Sequence, residues 1–135
     1  MIRRVIKPII EFAFWAFERP APGLDLGLAI LAGGWALTSI CSPDVFDRQS
    51  YSAIGRMPDV IVVGVMGALC LAHAAVAWRP ARSWRLIPLF ASAFVWLCVA
   101  GGFAVVGTWT DVVAYALVGS GALLGVIYVE TERQA

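Results

Sequence analysis

Long apolar runs, separated by short polar segments, dominate the pattern of residues along the chain. Four runs contain hardly a charge: Leu24–Ile40, Val60–Trp78, Leu86–Val106 and Val112–Val129. A helix that crosses a bilayer needs about 20 predominantly apolar residues, and its backbone must bond within itself because hydrocarbon offers no partner. The pattern therefore predicts four transmembrane helices, at residues 24–40, 60–78, 86–106 and 112–129.

The segments between these runs predict how the helices are joined. An outer loop covers 43–58, a basic cytoplasmic loop 79–85, an outer turn 107–111 and a cytoplasmic tail 130–135. The outer turn is too short for anything but a hairpin, so the last two spans are expected to be antiparallel neighbours. The predicted fold is an all-α integral membrane protein whose four transmembrane helices form an antiparallel bundle.

Residues that favour helix starts lie near the predicted boundaries. Pro22 can open the first span, because the N–H that proline lacks has no partner there. Asp59, Ser83 and Asp111 are candidate N-caps for the other three spans. Pro88 falls in the first turn of the predicted third span, so it is not expected to kink that helix.

The first twenty residues predict an amphipathic helix ahead of the four spans. Arg4, Lys7, Glu11 and Glu18 share one helical face, and apolar residues cover much of the rest. Such a segment is expected to lie in the cytoplasmic interface with its apolar side towards the lipid, or alternatively to pack against the bundle. No A-x-A site follows the segment, so a cleaved signal peptide is not expected.

Lys and Arg are distributed unevenly between the two predicted sides. Residues 1–20 hold four, the basic loop three and the tail one, whereas the outer loop holds only Arg48 and Arg56. Cytoplasmic segments keep an excess of positive charge. The imbalance predicts a multi-pass protein of the bacterial inner (cytoplasmic) membrane, with the N-terminus and the C-terminus in the cytoplasm.

Composition agrees with the membrane interpretation. The 135 residues are 61% hydrophobic and 14% charged, whereas soluble domains are about 45–50% apolar and about 25% charged. A net charge of +1 argues against a nucleic-acid binder. Three cysteines without a C-x-x-C pair indicate neither a disulfide framework nor a zinc site.

Small residues four positions apart predict close contact between helices. In membranes such rows let helix backbones approach, within one chain or between copies. Some of these rows are expected to be chance placements in a chain so rich in Gly and Ala. The rows are Gly23 and Gly27 in the first span, Gly64, Ala68 and Ala72 in the second, and Gly121 and Gly125, beside Ala116 and Ser120, in the fourth.

Ionisable residues are scarce inside the predicted spans. Asp25 stands at the mouth of the first span, where it is expected to lie in the headgroup zone, and no Asp, Glu, Lys or Arg is assigned to a span interior. Coupled transport is therefore disfavoured, because it usually leaves a charged residue at depth. His73 lies at depth three residues after Cys70; the pair can ligate a metal, but a histidine bonded to a neighbouring helix is favoured.

No catalytic, cofactor-binding or metal-binding residue is predicted, so the chain is expected not to be an enzyme. The familiar metalloprotease, hydrolase and nucleotide-binding motifs do not occur in the sequence. Polar residues concentrate in the outer loop, including Asp44, Asp47 and Arg48. That loop either is solvated or binds a partner. Thr38 and Ser39, which close the first span, are expected to bond to their own backbone.

A set of spaced residues lies between Gly33 and Tyr128: Gly34-Trp35, Pro43, Phe46, Ser50-Tyr51, Pro58, Arg79, Arg82, Phe94-Val95-Trp96, Thr108 and Tyr115. This pattern resembles small four-span membrane proteins encoded by tailed bacteriophages. The resemblance implies an inner-membrane location and a role such as holin-like permeabilisation, exclusion of competing phages or support for genome entry. It supplies no functional residues.

The sequence thus predicts a non-enzymatic, phage-encoded membrane protein that acts by helix–helix association in the host membrane. Its expected partners are the lipid bilayer and either further copies or another membrane protein, with no nucleic acid and no cofactor. Two alternatives stay open. One is a subunit that anchors or regulates a larger complex through the outer loop or the N-terminal helix. The other is a small channel or transporter for a neutral solute.

Overall fold

In a computed structural model of the chain, the described residues (22–42, 44, 57–78 and 82–134) form four long α-helices. They are α1 (Pro22–Cys41), α2 (Asp59–Trp78), α3 (Arg82–Val106) and α4 (Trp109–Gln134). Each is long and apolar enough to cross a membrane, as predicted. The predicted amphipathic helix at 1–20 and most of the outer loop lie outside the described residues.

The helices extend past the apolar runs at several ends. α1 begins at Pro22, the residue predicted to open it. α3 begins at Arg82, so Arg85, assigned from the sequence to the basic loop, belongs to the helix. Pro88 is consequently the seventh residue of α3 rather than part of its first turn, and the helix passes it because only one backbone hydrogen bond is lost there.

A tight turn joins α3 to α4, as the sequence predicted. The Gly107 backbone has φ +83°, a conformation that favours glycine because it has no Cβ. The N–H groups of Gly107 and Thr108 donate to the carbonyl of Phe103 at 3.0 and 3.2 Å. These bonds satisfy the end of α3 and turn the chain back, so α3 and α4 are antiparallel neighbours.

The closest backbone contacts lie within two helical hairpins, α1 with α2 (the first hairpin) and α3 with α4 (the second hairpin). In the first hairpin, a Cβ added to Gly33 would stand 3.0 Å from Cys70 Sγ. In the second, a Cβ on Gly119 would stand 2.8 Å from Leu97 Cγ and 3.3 Å from the Ala93 carbonyl. A side chain added at Gly119 would require Leu97 to shift, and one added at Gly33 would require a smaller adjustment of Cys70.

Most of the small-residue rows predicted from the sequence do not mediate these contacts. Gly27, Gly64 and Gly121 have open space where a Cβ would lie, and Gly64 and Ala68 are exposed. Gly125 is the member that does make a close contact. The rows were ambiguous because Gly and Ala are frequent on every face of these helices.

The two hairpins meet through longer side chains. Helix backbones of different hairpins approach each other less closely than backbones within a hairpin. Trp96, Phe103 and Leu89 of α3 are fully buried at this interface or beside it, and Leu24 of α1 reaches across to Gly125 of α4. The interior therefore lies between the hairpins, where large side chains fill the wider gap.

A candidate functional site between the hairpins

Four polar side chains converge at one end of the interface between the hairpins. Asp25 is the fourth residue of α1 and Arg85 the fourth of α3, while His73 lies five residues before the end of α2. Ser92 lies seven residues after Arg85, about 10 Å further along α3. We call these four residues the polar network; two belong to each hairpin.

The network is held by four short contacts. His73 lies between α1 and α3: its Nδ1 is 3.0 Å from Asp25 Oδ1, and its Nε2 is 2.7 Å from Ser92 Oγ. Arg85 donates from Nε to Asp25 Oδ2 at 2.8 Å, and a second guanidinium nitrogen of Arg85 lies 2.6 Å from the same oxygen. A histidine that carries its proton on Nδ1 would donate to Asp25 and accept from the Ser92 hydroxyl.

Burial makes these contacts energetically important. Asp25, His73 and Ser92 are 0% exposed, and Arg85 is 2% exposed. A buried charge is costly unless it is paired and bonded. Here the carboxylate faces the guanidinium, and the imidazole has a partner at each nitrogen. With a neutral imidazole the four side chains together carry no net charge.

The structure shows a burial that the sequence did not predict. Asp25 was expected at the mouth of the first span, and it lies in the first turn of α1, where His73 and Arg85 enclose it from α2 and α3. Arg85, assigned from the sequence to the basic loop, is buried in the first turn of α3. The sequence-based case against coupled transport did not include this enclosed ion pair.

Other predictions about polar residues are confirmed. His73 is bonded to neighbouring helices, the interpretation favoured from the sequence. Cys70 packs against Gly33 on α1. Thr38 and Ser39 donate to the carbonyls of Gly34 and Trp35 four residues earlier, as predicted.

A signal for the network was present in the sequence. An acidic and a basic residue occupy the same position in the first turns of two helices that start on the same predicted side. His73 lies near that side in the helix between them. Apolar periodicity does not reveal such pairing, because the partners come from three different helices.

An aromatic cluster continues the interface beyond the network. Trp35 donates from Nε1 to the Tyr115 hydroxyl at 3.2 Å and meets the Trp96 ring edge-on, with centroids 5.9 Å apart. Tyr115 lies nearly parallel to Trp96 on one side and Phe103 on the other. Trp96 Nε1 is buried and has no hydrogen-bond partner among the described residues. These ring contacts join α1 to α3 and α4.

α2 and α3 diverge at the opposite end from the network. The His73–Ser92 contact joins them at one end, whereas an apolar groove of about 310 Å³ separates them towards the other. Met66 and Val62 of α2 line the groove opposite Val95 and Val99 of α3. The polar contacts therefore hold α2 and α3 together at one end, whereas their apolar packing is incomplete at the other end.

The order serine, histidine and aspartate is the order of groups that activates a nucleophile in hydrolases. In this chain the Ser92 hydroxyl is enclosed, and its helix continues on both sides of it. Helical hydrogen bonds occupy the backbone N–H groups around Ser92, so they are not available to stabilise an oxyanion. The observed contacts of these three side chains join α1, α2 and α3 by hydrogen bonds.

No protein-family model, curated protein or solved structure matches the chain. The polar network and its division between the two hairpins are the features from which function is inferred.

Proposed function

We propose that the chain is a non-enzymatic, multi-pass protein of the bacterial inner membrane that permeabilises the membrane by opening between its two hairpins. The observation that carries the proposal is the polar network: Asp25 and His73 lie on the first hairpin, and Arg85 and Ser92 on the second. The role is holin-like, in keeping with the resemblance to phage-encoded proteins, and both termini lie in the cytoplasm.

The outer faces of the helices support placement in lipid. Large apolar side chains point away from the interior along each helix, among them Val60 at 82% exposed and Val105 at 84%. Contiguous exposed apolar surface on this scale is unfavourable in water. Together with four helices of spanning length, it favours a bilayer as the surrounding medium.

The network supplies the polar groups that an opening requires. No single span has a polar stripe, but three helices together contribute a carboxylate, a guanidinium, an imidazole and a hydroxyl to one place. When the hairpins separate, the bonds from Asp25 to Arg85 and from His73 to Ser92 break, and hydrocarbon cannot replace them. Water that enters from the cytoplasmic side can replace them, so opening favours hydration of the interface.

A reversible lock between the hairpins tests the proposal. Leu24 Cδ2 is 2.6 Å from the position of a Cβ on Gly125, so Leu24→Cys and Gly125→Cys put two cysteines at facing positions of the two hairpins. The background carries Cys41→Ser, Cys70→Ala and Cys98→Ala. In liposomes loaded with carboxyfluorescein, oxidation of this variant is expected to stop dye release, and dithiothreitol is expected to restore it.

A lock inside one hairpin is the matched control. Gly33→Cys faces the native Cys70, whose Sγ lies 3.0 Å from the added Cβ, so a disulfide there joins α1 to α2 without joining the hairpins. Dye release is expected to continue after oxidation of this variant. If both locks stop release, or if neither does, the opening is not between the hairpins and the proposal is wrong.

The non-enzymatic part of the proposal has its own test. A fluorophosphonate probe labels serines that a neighbouring base activates. We expect Ser92 to stay unlabelled in detergent and in vesicles because its hydroxyl is enclosed. A label that disappears in Ser92→Ala and His73→Gln, but persists in Ser120→Ala, would instead identify a nucleophilic serine.

Thiol labelling tests the orientation. Cys41 is exposed at the end of α1 opposite the network. In a variant with Cys70→Ala and Cys98→Ala, a membrane-impermeant maleimide is expected to reach Cys41 from the periplasmic side of spheroplasts. Labelling confined to inverted vesicles would reverse the proposed topology.

A second candidate function, association with another membrane protein, is favoured by the outward-facing small residues of α2. Gly64 and Ala68 are exposed, with space where a Gly64 Cβ would lie, and such rows suit a close helix partner. Mild-detergent pull-down is expected to recover a stoichiometric partner that Gly64→Leu with Ala68→Leu removes. Its absence would leave no support for this function.

A further inference from the structure

The division of the polar network between the hairpins points to a specific partner, a second copy of the chain. Building on the opening proposed above, we infer that two copies exchange hairpins: the first hairpin of one copy packs on the second hairpin of the other. Each exchanged pair re-forms the bonds from Asp25 and His73 to Arg85 and Ser92.

The two hairpins carry complementary charges. The first hairpin presents the buried carboxylate of Asp25, and the second presents the guanidinium of Arg85. In an opened copy the Asp25 carboxylate no longer faces the Arg85 guanidinium, so it needs water or another guanidinium as its partner. Every other opened copy presents the complementary group, so exchange re-forms the same bonds between the same residues.

The connection between the hairpins is short. α2 ends at Trp78 and α3 begins at Arg82, which leaves three residues between them. One of the three is Pro80. Short hinge connections favour domain swapping, because an extended connection between two copies relieves the constraint of folding back within one.

Exchange must break the interface between the hairpins and leave the contacts within each hairpin in place. Contacts within a hairpin are close backbone contacts at Gly33 and Gly119, whereas contacts between hairpins are made by longer side chains across a wider gap. The groove between α2 and α3 shows that the gap is not fully packed. Each hairpin therefore remains a unit while its partner is replaced.

Disulfide formation between two differently tagged chains tests the exchange. Both chains lack the native cysteines; one carries Leu24→Cys and the other Gly125→Cys, and they are co-expressed and oxidised in membranes. The matched control replaces Gly125→Cys with Gly121→Cys, one turn away on α4, where no atom lies within 4 Å of the added Cβ. We expect a mixed-tag dimer, with loss of monomer, for the Gly125 pair and not for the Gly121 pair.

A single chain that carries both Leu24→Cys and Gly125→Cys provides the folding reference. If it forms its internal disulfide while the two separate chains form no mixed dimer, the hairpins do not exchange. Equal mixed dimers with Gly125→Cys and Gly121→Cys would indicate random collision and would also overturn the inference. The dye-release test of opening is independent of this experiment. If the inter-hairpin lock stops dye release but no mixed dimers form, the proposal of opening stands and the inference of exchange is wrong.

Discussion

Removing one charge of the buried ion pair is expected to destabilise the protein far more than removing both. Asp25→Asn keeps the shape of the side chain and an oxygen that accepts from His73, but it takes away the negative charge facing Arg85. Arg85→Gln does the converse. The double variant leaves two neutral amides in the same place, each able to donate and to accept a hydrogen bond.

The magnitude follows from the burial and the short distances. Asp25 Oδ2 lies 2.6 Å and 2.8 Å from two Arg85 nitrogens, and the side chains are 0% and 3% exposed. At such sites the loss of one partner costs about 3–5 kcal/mol, because the other charge stays buried without it, whereas replacing a whole pair is often close to neutral. We therefore expect each single variant to lose about 3 kcal/mol or more, and the double variant to lose less than either.

The assay is a double-mutant cycle in mixed micelles, with unfolding followed by circular dichroism as sodium dodecyl sulfate is added. It measures the free energy of unfolding of the native protein and the three variants. Ser120→Ala, at an exposed position on α4, is the control and is expected to change the free energy by less than about 0.5 kcal/mol.

Additive losses would refute the reasoning. If Asp25→Asn and Arg85→Gln each cost energy, and the double variant costs their sum, the two side chains do not act as a pair. Single variants as stable as the native protein would show that the network is not buried between the hairpins. Either result would also show that the polar network does not hold the two hairpins together.

Three further predictions test the packing around the network. Gly119→Ala places a Cβ 2.8 Å from Leu97 Cγ, and in thermal melts it is expected to cost about 1–3 kcal/mol of stability. The control, Gly64→Ala, has open space for its Cβ and is expected to be neutral or to stabilise by up to about 1 kcal/mol. Equal effects of the two variants would contradict the hairpin contacts. Trp96→Phe removes a buried N–H without a partner, whereas Trp35→Phe breaks the bond to Tyr115. Denaturant titration is expected to show the Trp35 change costing about 1 kcal/mol more, and the reverse order would place a partner on Trp96. Ser92→Ala is expected to cost about 1–3 kcal/mol because it leaves His73 Nε2 buried without its bond, while Thr38→Val, which loses only a local bond within α1, is expected to change stability by less than about 0.5 kcal/mol.

Apolar patterning determined the helices of this chain. A run of about 20 residues without charges has one stable arrangement in a bilayer, so the positions of α1 to α4 follow from composition and local order. The hairpin at Gly107 and the backbone-bonded Thr38 and Ser39 are also local features, since their partners lie within five residues. His73 was recognised as a bonded histidine because an unbonded imidazole at depth is costly.

Which residues meet across the interior was decided only by the tertiary structure. Asp25 is 48 positions from His73 and 60 positions from Arg85 along the chain. Periodicity carries no information about which face of one helix opposes which face of another. The same holds for the small residues: Gly33 and Gly119 make the close contacts, while equally spaced rows such as Gly64 and Ala68 face outward. Hydrophobicity sets which segments leave water, but the pairing of polar groups and the fit of side chains set their arrangement.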